Sequence, residues 1–164
     1  MTSQERIISS INHRQPDKVP VDLASSTVTG ISAIAYNNLK RHLGFSRPSR
    51  VFDVIQQLAN VDVDILDLIG ADALDINRLS AEHGQWHQAV LADGSIAEYP
   101  EWFSPVRDAD GSWFTTDADG TILSRMASGA TFFDQMNFPY EKGYPADPGD
   151  LKKALKKISW VVHS

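Results

Sequence analysis

The chain has 164 residues, a formal net charge of −6 and a pI near 5.2, which counts against nucleic acid or an anionic membrane as the principal partner. Cysteine is absent, which excludes disulfides, thiolate nucleophiles and cysteine-containing zinc sites among these residues. Hydrophobic residues at 42% and charged residues at 22% fit one globular domain, with no run long enough for a membrane helix. The stretch from Met1 to Asp17 is polar and lacks the apolar region of a secretory signal, so a cytoplasmic setting is expected.

In chain order, Thr2 and Glu5 have the spacing of a capping box, and Ile7, Ile8 and Ile11 follow on one helical face. Pro16 ends that helix, and Lys18 to Leu23 (KVPVDL) reads as a short buried strand finishing at Asp22. The polar stretch Ser25 to Gly30 opens a second helix with Ile31, Ile34, Ala35, Leu39 and Leu43 as its stripe and Gly44 as its cap. Val51, Ile55 and Leu58 predict a further helix; Ile65, Leu66, Leu68 and Ile69 predict another, closed by Gly70. Ala71 to Ile76 (ADALDI) then reads as a second strand, giving a βαβ order and a parallel pair.

Three Asp-Gly turns change the character of the middle: Asp93-Gly94, Asp110-Gly111 and Asp119-Gly120. The runs Trp86 to Ala92, Ser95 to Tyr99, Ser112 to Thr116 and Thr121 to Met126 lie around them and predict an antiparallel meander. Phe132 to Tyr140 is aromatic and turn-like. A last helix starts at Asp147 and Pro148, with Leu151, Leu155 and Ile158 inward and four lysines outward. Ser159 to His163 turns apolar again just before the end, the pattern expected of a chain that stops inside a longer fold.

The opening ERIISSINHRQPDKVPVDL resembles the start of uroporphyrinogen-decarboxylase-like proteins. The segments RVFDVIQQL, GADALDI, DGSIAEYPEWF and DGSWFTTDADGTI are similar to a divergent branch near the corrinoid-dependent methyltransferases. The resemblance implies an α/β fold, the N-terminal part of a (β/α)8 barrel with the antiparallel meander inserted. A whole barrel needs about 250 residues, so a single incomplete domain is expected. Helices and first barrel strands would occupy about residues 1–80, the meander about 85–127 and the last helix about 147–158. It also implies methyl transfer with a corrinoid partner protein, or alternatively decarboxylation of uroporphyrinogen; a non-catalytic binding fragment is the third reading. A complementing chain or a second copy would complete such a fragment.

The family's decarboxylase uses an arginine-rich loop after the first strand to hold carboxylates. Here the matching stretch is Ser25, Ser26, Thr27, Val28, Thr29 and Gly30, without an arginine for a bidentate clamp. The family's aspartate past the second strand falls here on Asn77-Arg78. The methyltransferase relatives hold zinc with a His and two Cys late in their chains, so corrinoid and zinc would belong to a full-length parent, and no metal site is assigned here. Within the barrel that the resemblance implies, Asp22, Asn77 and Arg78 are candidate substrate contacts, because they end the two predicted strands, where barrel sites sit. A capping or loop hydrogen bond is the more common role for a residue such as Asp22, and a surface salt bridge for one such as Arg78. His83 and His87 stand four apart, but Gly84 intervenes and His87 opens a strand, against a metal pair. Trp86, Trp102, Trp113 and Phe114 suit either a flat-ligand pocket or cross-strand packing.

Overall fold

A computed structural model describes residues 1–76, 84–138, 140–141, 143–144 and 147–156, the last three of these by their backbone alone. Helix α1 (Ser3–Ile11) begins with the anticipated capping box, the Thr2 hydroxyl accepting from the Glu5 amide and Glu5 accepting from the Thr2 amide. Helix α2 (Ala33–Leu43) is capped by the Ser32 hydroxyl and closed by Gly44 in the left-handed region, as its sequence predicts. Helix α3 (Val63–Ile69) closes in the same way at Gly70. Helix α4 (Pro148–Lys156) starts at proline, the Asp147 carboxylate accepting from the amides of Gly149 and Asp150.

The strands form two four-stranded sheets. The first contains β1 (Ser49–Asp53), β2 (Leu58–Asn60), β3 (Trp86–Val90) and β4 (Ile96–Pro100) in the order β2-β1-β4-β3. Only β1 and β4 run parallel in it; the β1–β2 and β3–β4 pairs are antiparallel. The second sheet, wholly antiparallel, contains β5 (Val106–Arg107), β6 (Trp113–Thr116), β7 (Ile122–Met126) and β8 (Asp134–Gln135) in sequential order. The anticipated Asp-Gly turns join β3 to β4, β5 to β6 and β6 to β7, their glycines at φ of 82°, 84° and 79°.

This architecture corrects the barrel expectation. The described residues form a small mixed α/β domain with open mixed and antiparallel sheets, not a portion of a (β/α)8 barrel. Nor is the meander a separate insertion: β3 and β4 share a sheet with β1 and β2, while β6 and β7 belong to the other. The two presumed barrel strands are irregular. Pro20 offers no amide, and the Val21 amide donates to the Asp72 side chain rather than to a main-chain carbonyl. The Asp72 amide does donate to the Val21 carbonyl, at 2.7 Å, but no ladder grows from that bond.

The helix expected from Val51, Ile55 and Leu58 is instead the β1–β2 hairpin. Ser49, Val51 and Asp53 alternate inward, a period-two pattern stronger than the helical spacing that also fits these residues. The Asp53 carboxylate accepts from the amides of Ile55 and Gln56, and Gln57 adopts φ of 56°, which turns the chain back. The core lies between α2, α3 and the sheets: Tyr36, Val51, Val54, Ile65, Ala97, Tyr99 and Phe103 are buried together. Among the described residues no helix is long and apolar enough to cross a membrane.

Candidate functional site

A cleft of about 710 Å³ opens where β1 and β4 meet the start of α3. Local sequence explains its charge. The chain arrives through Arg47-Pro48, places Arg50 outward on β1, and enters α3 through Asp62, Asp64 and Asp67. Glu98 on β4 and Asp75 beyond α3 add further carboxylates, and Val61, Leu66 and Leu74 supply apolar floor and rim.

Asp62 organises one wall. It stands at the N-cap position of α3, yet its side chain makes no capping bond. The Tyr36 hydroxyl donates to Asp62 Oδ2 at 2.8 Å and accepts from the Asp62 amide at 2.8 Å. Lys40 Nζ lies 3.6 Å and Arg47 Nη2 3.8 Å from the same carboxylate oxygen. Arg47 donates at 2.7 Å to Asp64. Across the cleft, Arg50 Nε donates to Glu98 at 3.0 Å while its guanidinium covers the Trp86 ring at 5.2 Å.

Burial sets the proton affinities here. It lowers the Lys40 ammonium below its ordinary value, against the pull of Asp62, because the charged form loses water. It raises the Tyr36 phenol above its ordinary value, with the Asp62 carboxylate adding to the shift. Asp62 and Asp64 together raise the Arg47 guanidinium. The Lys40 side chain is 2% exposed and its ammonium makes no hydrogen bond among the described residues. It rests on the Asp62 charge and on the Tyr36 ring, 4.7 Å from the centroid. The arrangement presents both signs of charge to a ligand within one concavity.

The sequence-derived candidates fare differently. Asp22 is committed to its own loop, accepting from the amide and hydroxyl of Ser25 and from the hydroxyl of Thr29. Asn77, Arg78 and His83 lie outside the described residues, although Leu74 and Asp75, just before them in sequence, line the cleft. His87 lies on β3 with Nδ1 3.8 Å from Glu101. Among the described residues no three His, Asp or Glu side chains converge to hold a metal, and with no cysteine in the chain these residues do not fit the zinc set of the methyltransferases.

Sequence reasoning passed over Tyr36, Lys40 and Asp62. A signal was present: Ala33, Tyr36 and Lys40 follow the i, i+3, i+7 spacing of a buried helical face, and a lysine on that face demands a carboxylate. No known family model, curated protein or solved structure matches the chain.

Proposed function

We propose that the chain belongs with the uroporphyrinogen-decarboxylase-like proteins and serves methyl transfer with a corrinoid partner protein in the cytoplasm, the charged cleft receiving the small-molecule substrate. One observation carries this reading beyond the resemblance itself. Two of the segments that bear the resemblance, the opening stretch and GADALDI, are clasped together although distant in sequence: Arg6 of the opening helix pairs with Asp17 and with Asp72 of GADALDI. Asp72 in turn bonds to both main-chain groups of Val21 in VPVDL. Two matching segments that share one ion-paired knot support common descent better than segments scattered over the surface. Tetrapyrrole decarboxylation is disfavoured, because the Ser25–Gly30 loop has no arginine and turns its hydroxyls onto Asp22 and itself.

The test is demethylation of free methylcobalamin by the purified protein with a thiol acceptor, followed by visible absorbance, with uroporphyrinogen supplied in parallel. Protein-dependent loss of the methyl–cobalt absorbance that is weakened in Arg50→Ala supports methyl transfer. Loss of carboxyl groups from uroporphyrinogen instead would restore the decarboxylase reading.

A second reading, a binding module without turnover, draws on α1. Ile11 is 70% exposed and Ile8 50%, so this helix presents an apolar face to its surroundings. Saturable substrate binding with no change in either assay would select it.

A further inference from the structure

A second cavity, about 250 Å³, lies between the two sheets, away from the charged cleft. Tyr99 of β4 lines one side, Trp113 of β6 and Met126 of β7 the other, and Phe133 closes it; His87 and Ser104 stand at its polar rim. Sheets packed face to face ordinarily fill the gap between them with interdigitating side chains. Here the neighbouring positions carry small residues, Ala89 and Ser104, and the gap stays open. It is half-open to solvent, with room for a ring such as benzene, which an enclosed apolar cavity of about 150 Å³ accommodates.

The walls are held in place before any ligand arrives. Phe103 is 2% exposed and packs edge-on against both Tyr99 (5.1 Å between centroids) and Phe133 (5.5 Å). The Tyr99 hydroxyl is occupied by Gln57 at 2.6 Å, which fixes that ring from its far end. Met126 adds a thioether, a soft partner for an aromatic edge. At the rim, the His87 imidazole makes no hydrogen bond among the described residues; its Nδ1 lies 3.8 Å from the Glu101 carboxylate and its ring meets Tyr99 edge-on. With Nδ1 on the Glu101 side, Nε2 is the ring nitrogen offered to one polar substituent.

We propose that this inter-sheet slot is a binding site for a small aromatic molecule of one ring or two fused rings, carrying one hydrogen-bonding group directed to His87. Ring faces and edges on three sides favour an aromatic guest over an aliphatic one of equal size, through offset and edge-to-face contacts. The site is independent of the charged cleft and of the methyl-transfer reading.

Calorimetric titration of the whole protein with indole tests it, with cyclohexanol as the non-aromatic control. Saturable binding of indole at one site is expected, at least about tenfold tighter than cyclohexanol. Ser104→Trp, which places a large ring at the exposed rim, and Ala89→Leu, which fills the slot from β3, should each weaken indole at least about tenfold. Thermal unfolding of each variant verifies that it is folded, and either one alone decides the matter if the other fails to fold. Absence of saturable indole binding, equal affinity for cyclohexanol, or unchanged indole affinity in a folded variant overturns the proposal.

Discussion

The N-terminal segment attaches to the rest of the chain through charge, whereas β1, β4 and the turn carrying Phe103 attach through rings and aliphatic side chains. In α1 the buried residue is Arg6, with 7% exposure, bonded to Asp17 and Asp72, while Ile8 and Ile11 face outward. Around Phe103 the reverse holds: Tyr99, Trp102 and Phe133 meet it edge-on and the neighbouring polar groups are few. Apolar packing carries no titrating group and loses most when volume is removed. An ion-paired knot tolerates substitution of its neighbours but depends on protonation. One molecule thus contains two regions that should fail under different conditions.

Removing volume from the core should have the largest effect. Phe103→Ala is expected to lower stability by about 3–5 kcal/mol, measured by urea unfolding; a loss as small as that of a surface substitution would show that the ring cluster does not support the sheets. Tyr36→Phe, which strands the Asp62 amide and removes a donor from its carboxylate, should cost about 1–3 kcal/mol in the same measurement. An unchanged midpoint would mean that water replaces the hydroxyl without loss.

The charged knot should respond to acid. Arg6, by direct hydrogen bonds, holds the Asp17 carboxyl well below the ordinary carboxylate range. The Val21 amide, with Arg6, lowers that of Asp72. A carboxyl whose pKa is depressed on folding contributes stability that is complete above its unfolded value and fades as pH falls below about 4. Amide hydrogen exchange in α1 should therefore accelerate on acidification below that point before exchange in β1 and β4 does. Arg6→Ala should abolish this difference by loosening α1 already at neutral pH. Equal acid sensitivity of α1 and the sheets in the native protein would break the comparison.

The smallest effect is expected at Ile8. Replacing this half-exposed isoleucine by glutamine should change stability by no more than about 0.5 kcal/mol. A larger loss in a monomer would mean that the apolar face of α1 is covered in solution; a change in oligomeric state would identify a second copy as the cover.

Elements governed by neighbours in sequence were legible from sequence alone. The Thr2–Glu5 capping box, the glycine closures at Gly44 and Gly70, the proline start of α4 and the Asp-Gly turns all need only a few adjacent residues, and all are present. Features set by distant partners were not. Val51, Ile55 and Leu58 satisfy a helical spacing, but the hairpin is decided by pairing with β4 and by the Asp53 turn, so the helical expectation fails there. KVPVDL and ADALDI look like strands until one sees that the Asp72 side chain takes the hydrogen bond a ladder would need. The candidate site follows the same division. Composition announces an acidic chain with scattered arginines, yet only the tertiary fold gathers Tyr36 and Lys40 of α2, Arg47 before β1 and Asp62 before α3. Local hydrogen bonding and backbone preference are written in short stretches of sequence; sheet partnership and the pairing of a buried charge depend on residues 20 to 50 positions apart, whose meeting the core alone decides.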